Sequence, residues 1–396
     1  MISHKMIKMT EGGSAIRAMF EEGNRLAAQF GRENVYDFSL GNPNIPAPGK
    51  IKDEIVRIAE ETDPMELHGY MSNAGYPAVR AKIAEDLNAR FGTAFGENNI
   101  IMTVGAAGGL NVVLKTLLNP GDEVLVFSPF FLEYGNYVSN FDGVLKHIPA
   151  KAEDGFQPSA EALCDAVTPN TKALIINNPN NPTGVIYSEE KIKELAAALE
   201  KKQAELGTSI YIIDDEPYRE LAYDGADVPY LTNFYRNTIV CYSWSKSLSL
   251  PGERIGYIAI SPEADDAALI FDAAVIANRI LGFVNAPSLQ QRLVAECLNE
   301  KTDIAAYDAN RKALYDGLTA CGFECVYPAG AFYMWVKAPT PDDREFTQRA
   351  KKYNILFVPG SSFACPGYVR IAYCVSHDMI LRSLPAFKKL AAEYGL

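Results

Sequence analysis

ALIINNPNNPTGVIYSEEKIKELAAALEKKQAELGTSIYIID, residues 173–214, sets the pattern from which the fold is read. It opens on a short apolar run, Ala173–Asn177, and crosses a loop punctuated by Pro179, Pro182 and Gly184. It then continues as a helical pattern over Ser188–Glu205, which Gly207 stops, and closes on a second apolar run, Ser209–Asp214. Short apolar runs bounded by turn residues read as buried strands, and the Ser start and Gly stop frame the helix between them. Working outward, further strand candidates lie at Ile100–Val104, Glu123–Phe127, Val144–Ile148, Thr238–Tyr242 and Ile255–Ile260, with helical patterns at Gly109–Leu118 and Ser159–Ala166. This alternation predicts an α/β fold whose large domain holds a seven-stranded, mostly parallel sheet flanked by helices.

After Ala286 the pattern changes. A long helix is expected over Leu289–Ala320, followed by shorter strands around Phe332–Val336 and Tyr368–Tyr373, which reads as a smaller α+β domain. The helical stretch Gly13–Phe30 is too short to stand alone and is expected to pack on that second unit. The expected division is a large domain at 45–288 and a small domain formed by both termini, 1–44 and 289–396.

Of the 396 residues 48% are hydrophobic and 22% charged, the balance of a globular chain able to bury a large core. The net charge of −12, with no long run of Lys or Arg, repels nucleic acid phosphates and directs attention to small-molecule chemistry. Residues 1–12 lack the apolar stretch and cleavage site of a secretory signal, so a cytoplasmic location is expected. No segment approaches the roughly 20 consecutive apolar residues needed to cross a bilayer, and no membrane role is expected. The seven cysteines, an odd number, read as reduced thiols, and with four histidines the Cys321/Cys325 pair does not make a metal site.

Chemistry gathers where strands end. Ser243-Trp244-Ser245-Lys246, followed by Pro251-Gly252-Glu253-Arg254 and Gly256, places a lysine beside hydroxyls and an arginine. That combination suits an aldehyde cofactor that also carries a phosphate, since the amine condenses with the aldehyde while hydroxyls and guanidinium bind the dianion. In Asp214-Asp215-Glu216-Pro217-Tyr218 a carboxylate at a strand end is suited to hold a pyridine nitrogen protonated, with Tyr218 as a donor to a phenolic oxygen. In Asn178-Pro179-Asn180-Asn181-Pro182-Thr183-Gly184 two Asn-Pro steps force an extended path that holds the Asn181 amide toward a ligand. Thr103-Val104-Gly105-Ala106-Ala107-Gly108-Gly109 brings backbone amides to a helix N-terminus as a phosphate cradle. An aromatic of Pro129-Phe130-Phe131-Leu132-Glu133-Tyr134 can stack on a flat ring. Singly, each motif has an ordinary explanation: a loop lysine, a solvated acidic turn, a Gly-rich connection, core aromatics.

Taken in order, these motifs resemble the class I/II aminotransferases of fold type I, the aspartate aminotransferase-like group of pyridoxal-phosphate-dependent enzymes. The resemblance spans nearly the whole chain. It begins at Ser39-Leu40-Gly41-Asn42-Pro43, runs through His68-Gly69-Tyr70 and Gly75-Tyr76-Pro77, and ends at Tyr368-Val369-Arg370-Ile371-Ala372-Tyr373. It implies pyridoxal 5′-phosphate bound in the large domain as a Schiff base on Lys246, which also shuttles protons. Asp215 is implied as partner of the pyridine nitrogen, Asn181 and Tyr218 as holders of the phenolic oxygen, and Phe131 as the ring-stacking aromatic. The phosphate would take Gly105 with the amides of Ala106 and Ala107, Ser243, Ser245, Arg254, and Tyr70 from the second subunit of a homodimer with shared sites. Arg370 would clamp the substrate α-carboxylate, with Gly41 and Asn181 nearby.

The implied reaction moves an amino group between an L-amino acid and a 2-oxo acid in ping-pong order, with glutamate and 2-oxoglutarate as one pair. Two departures bear on substrate choice. Ala106-Ala107-Gly108 lacks the lysine some bacterial aspartate-selective members carry after the cradle glycine. Arg279 precedes Asn285-Ala286-Pro287 with a spacing one residue longer than in the branch that uses such an arginine for a distal carboxylate, so it is either that ligand or a surface helix residue. A carbon–sulfur β-lyase shares every cofactor contact, and a non-catalytic pyridoxal-phosphate-binding regulator on the same fold is a more distant alternative.

Overall fold

The computed structural model describes residues 2–11 and 15–396. In its large sheet the strands lie side by side in the order Ile100–Thr103, Gly256–Ile260, Thr238–Ser243, Tyr211–Asp215, Thr171–Asn177, Glu123–Ser128, Val144–Pro149. Gly256–Ile260 runs antiparallel to both neighbours and the other pairings are parallel. The seven expected strands are these, their ends moved by a few residues. Five of them, Ile100–Thr103, Glu123–Ser128, Tyr211–Asp215, Thr238–Ser243 and Gly256–Ile260, are buried along their whole length, because helices cover both faces and no polar alternation is needed. The outer strand Val144–Pro149 is largely exposed and carries Lys146 and His147, the charged and polar dress of an edge.

Capping explains where the helices stop. Ser188 Oγ accepts from Lys191 N at 3.2 Å, Glu189 and Glu190 occupy the first turn, and Gly207 ends the Glu189–Leu206 helix at φ +65°. The helix expected at Gly109–Leu118 begins earlier, at Gly105, and ends at Leu117. Glycines disfavour a helix intrinsically, but packing on the Thr238–Ser243 and Gly256–Ile260 strands overrides propensity.

The continuous helix expected over Leu289–Ala320 is two helices, Ser288–Glu296 and Ile304–Ala320. The polar run between them breaks the helix. Asp303 caps the second piece through Ala306 N at 3.1 Å, and Thr302 N donates to Ser247 O at 2.9 Å. The first piece packs on the Gly49–Glu61 and Pro77–Phe91 helices, the second on His377–Ala392.

A second, antiparallel sheet orders Val358–Pro359, Tyr368–Ala372, Tyr333–Lys337 and Cys325–Val326. Tyr36–Asp37 pairs in parallel with Ile355–Leu356, tying the N-terminal segment to the C-terminal one. The helix expected at Gly13–Phe30 is described from Ala15 to Phe30, with Gly13 and Ser14 outside the described residues, and its Met19 and Leu26 pack against Leu356. Among the described residues no helix is long and apolar enough to cross a membrane.

The parallel strands deliver their C-terminal ends, and the Gly105 helix its N-terminus, to one edge of the large sheet, the usual ligand position in such sheets. Gly256 lets this edge close up. A Cβ there would overlap the Tyr242 carbonyl and stand 3.0 Å from the Gly105 backbone. Gly256→Ala is therefore expected to lower the free energy of unfolding by about 1–3 kcal/mol, the usual cost of overpacking, measured by urea denaturation.

Candidate active site

Asn177, Asp215 and Ser243 are the last residues of three adjacent strands. Asn177 Nδ2 donates to Asp215 O at 2.8 Å, and Asn177 Oδ1 accepts from Asn181 N at 2.7 Å, so one side chain fixes the acidic turn to the Asn-Pro loop. That loop supplies its own hydrogen bonds. Asn178 Oδ1 accepts from Tyr187 N, and Asn180 Oδ1 accepts from both Thr183 N and Thr183 Oγ1.

Lys246 sits in the helical turn Trp244–Ser247 that follows Ser243. Its Nζ donates to Gly41 O at 2.7 Å and lies 5.3 Å from the Phe332 ring centre. Burial brings the amine down to about 8, and the positive charges of Arg254 and Arg370 push the same way. A cavity of about 270 Å³ opens over it, lined by Gly41, Ala106, Ala107, Phe131, Asn181, Asp215, Tyr218 and Arg370 among others. The structure thus brings nine residues expected from sequence, Lys246 included, to one hollow.

Asp215 carries an asymmetry. Tyr134 OH donates to Oδ2 at 2.5 Å, whereas Oδ1 is buried with no partner. Burial raises the carboxyl to about 7 against the opposing pull of the Tyr134 hydrogen bond. An empty, buried carboxylate oxygen beside a cavity fits an N–H donor on a bound group. The Tyr218 and Tyr333 hydroxyls are 2.9 Å apart. Tyr333 OH also abuts Gly41, where it leaves no room for a side chain.

Arg370 is 2% exposed. Nη1 donates to Asn181 Oδ1 at 3.0 Å and Nη2 to Ser39 O at 2.6 Å, and its guanidinium lies 4.5 Å from the Tyr333 ring centre. Because Asn181 Oδ1 faces the arginine, its NH2 remains a free donor beside the cavity.

At the first turn of the Gly105–Leu117 helix the Arg254 guanidinium lies against Gly105. Nη2 donates to Val104 O at 3.4 Å, and Nη1 to Pro251 O at 2.9 Å and to Ser245 Oγ at 3.5 Å. Ser243 Oγ accepts from Ser245 N at 3.4 Å. A guanidinium, hydroxyls and helix N-terminal amides in one place fit a phosphate dianion. With a lysine amine and an unpartnered carboxylate oxygen nearby, the set fits a phosphorylated pyridine aldehyde.

Tyr70 and Arg279 lie apart from both the cavity and the turn at Gly105 in the single chain. Tyr70 is 97% exposed and borders a separate surface hollow with Phe283 and Asn285. Arg279 is exposed on the Ala267–Ile280 helix. Conversely, Tyr134 and Tyr333 were not singled out from sequence as site residues. Tyr134 stands in the first turn of the Glu133–Asn140 helix and Tyr333 is brought in by the second sheet, and no local pattern marks either as a site residue.

The pattern of the family "Aminotransferase class I and II" matches residues 33–387. A probable aspartate/prephenate aminotransferase from Thermus aquaticus is 31% identical, the match covering 88% of this chain and 89% of that protein. Among solved structures, an amino transferase from Eubacterium rectale is 47% identical with a TM-score of 0.97 over 100% of this chain and 99% of that one. The aspartate aminotransferase from Thermus thermophilus with maleate is 28% identical, with a TM-score of 0.87 over 98% and 99%. All three are aminotransferases, which sets aside the lyase and regulator readings. Sequence pattern, fold and the fit of the cavity agree that the chain belongs to the class I and II aminotransferases of fold type I, transaminases whose cofactor is pyridoxal 5′-phosphate.

Proposed function

We propose that the chain moves the amino group between an L-amino acid and a 2-oxo acid in ping-pong order, with glutamate and 2-oxoglutarate as one pair and an aspartate or aromatic pair as the other. The observation that carries this reading is Arg370. Its partners are neutral oxygens, its Nε is buried without one, and among the described residues no carboxylate lies within ion-pair range. A buried cation without a counter-ion is costly, and a substrate carboxylate arriving in the cavity offsets that cost. One cavity opens over Lys246, so donor and acceptor would enter it in turn, as the ping-pong order requires. Relatives from Thermus aquaticus and Aquifex aeolicus named as probable aspartate/prephenate aminotransferases support a dicarboxylate on one side.

Pyridoxal phosphate supplies, when bound, an aldehyde that takes up the amine and a ring that draws electrons from the substrate α-carbon. Lys246 would hold the aldehyde, and its Nζ would serve as general base toward the substrate α-proton. Asp215, held by Tyr134, would offer its unpartnered Oδ1 to the protonated ring nitrogen. Tyr218 and Asn181 would hold the phenolic oxygen, and Phe131 would lie against the ring. The Gly105 turn, the Ala106 and Ala107 amides, Ser243, Ser245 and Arg254 would hold the phosphate. Gly41 borders the substrate beside Arg370.

Tyr70 and Arg279, exposed in the single chain, are assigned to a neighbouring copy's site in a homodimer: Tyr70 to the phosphate, Arg279 to a distal carboxylate. The proposed domain division keeps a large cofactor-binding part from about residue 45. Its end is kept at 288, and the Ser288–Glu296 helix that follows packs on the helices of the large part.

In the cofactor-free protein, uptake of pyridoxal phosphate should quicken as Lys246 loses its proton and level off above about pH 8, followed by absorbance in stopped flow. Lys246→Ala should fold, lose the borohydride-fixed adduct at this position, and lose turnover by about four orders of magnitude or more. An adduct on another residue would overturn the assignment.

Arg370→Lys keeps charge but loses the planar fork, so kcat/KM for glutamate, aspartate, tyrosine and alanine should fall alike, by about 10- to 100-fold. Arg279→Ala should affect only glutamate and aspartate, and a uniform loss would remove Arg279 from the site. For the shared site, equal amounts of Tyr70→Phe and Lys246→Ala chains, allowed to exchange, should regain up to about a quarter of the wild-type sites, all in hybrid dimers. Exchange without gain in activity would place Tyr70 outside the neighbour's site.

A further inference from the structure

The turn that carries Lys246 also borders a second hollow of about 230 Å³, which shares no lining residue with the cavity above. Trp244 and Ser247, on either side of Lys246, form part of its wall. The turn is stapled to the far side of this hollow. Tyr242 OH donates to Ser247 Oγ at 2.8 Å, Thr302 N to Ser247 O at 2.9 Å, and Ser249 Oγ lies 3.1 Å from Thr302 Oγ1.

The lining has donors without acceptors. Trp244 and Tyr257 line the hollow, and neither the indole N–H nor the phenol O–H donates to another described residue; neither atom is sealed from solvent, so both are open to a ligand. The lining also has balanced charge. Arg90 bridges Glu220 at 2.5 Å and Asp86 at 3.4 Å, Lys301 lies 3.7 Å from Glu220, and the remaining acid, Glu300, is 3.5 Å from Lys50. Three carboxylates and two cations therefore line the space, Lys50 beside Glu300 brings the charges to balance, and a ligand of zero net charge leaves that balance intact. A phosphate or dicarboxylate would meet Asp86 and Glu220 across a small volume and be repelled.

We propose that this hollow is a second small-molecule site that binds an α-amino acid as its zwitterion, the carboxylate on Trp244 Nε1 and Tyr257 OH and the ammonium on Asp86 and Glu220. The bound amino acid bridges the 299–302 connection and the Trp244–Ser247 turn, and so restrains the segment on which Lys246 moves. The site stands apart from the substrate assignment, since it uses none of the residues of the first cavity.

The test is made on holoenzyme treated with borohydride, which fixes the cofactor and stops turnover. Binding of L-alanine is measured by calorimetry and by tryptophan fluorescence, Trp244 being one of two tryptophans. The expected result is millimolar binding that Arg370→Lys leaves unchanged and that Asp86→Asn and Trp244→Phe each weaken about tenfold or more, the loss of one charged hydrogen bond. Asp86 is half-buried on a helix, so its variant keeps the test if Trp244→Phe fails to fold. Absence of alanine binding in the wild-type chain would overturn the proposal. So would binding that Arg370→Lys removes and Asp86→Asn leaves intact, which would place the alanine in the first cavity.

Discussion

Four consecutive backbone carbonyls hold this site together. Phe38 O accepts from Ala372 N, Ser39 O from Arg370 Nη2, Leu40 O from Cys374 Sγ, and Gly41 O from Lys246 Nζ. The extended segment 38–41 is thus a rack between the two sheets, with the small sheet's arginine hung on one carbonyl and the large sheet's lysine on another. Carbonyl oxygens suit this task because they orient a cation without neutralising it. A carboxylate in the same place would satisfy Arg370 internally and compete with any substrate anion.

The electrostatics follow from that choice. Lys246, Arg254 and Arg370 bring three positive charges near one cavity whose nearest acid, Asp215, is itself raised by burial. Burial, joined by the positive charges of Arg254 and Arg370, lowers the Lys246 amine to about 8. Tyr134 performs the complementary service for Asp215, engaging one oxygen and leaving the other without a partner.

Much of this was legible in the chain because the cofactor side of the cavity is built from short strings at strand ends. Ser243 to Arg254, Asp214 to Tyr218, and Asn178 to Gly184 each carry several site residues within a dozen positions, and the strand before each string announces where it sits. What escaped were partners chosen by packing. Tyr134 meets Asp215 across 81 positions and Tyr218 meets Tyr333 across 115, and no local pattern marks either pair. The break between Glu296 and Ile304 falls in a polar run that a long surface helix could also carry, and the decisive contact, Thr302 with the lysine turn, is again distant in sequence. The early helix start at Gly105 escaped because propensity argues against glycine and tertiary packing outvotes it.

The carbonyl rack has a consequence for the order in which the site is assembled. Lys246 and Arg254 belong to one short connection, whereas Arg370 reaches Ser39 over 331 positions. Contacts of such separation form late, after the loop between them has been closed. On the ribosome, the residues proposed to grip the cofactor emerge together well before Arg370 exists. A nascent chain therefore acquires the means to capture its coenzyme before it can tell one acid from another, and discrimination is the last property synthesis confers.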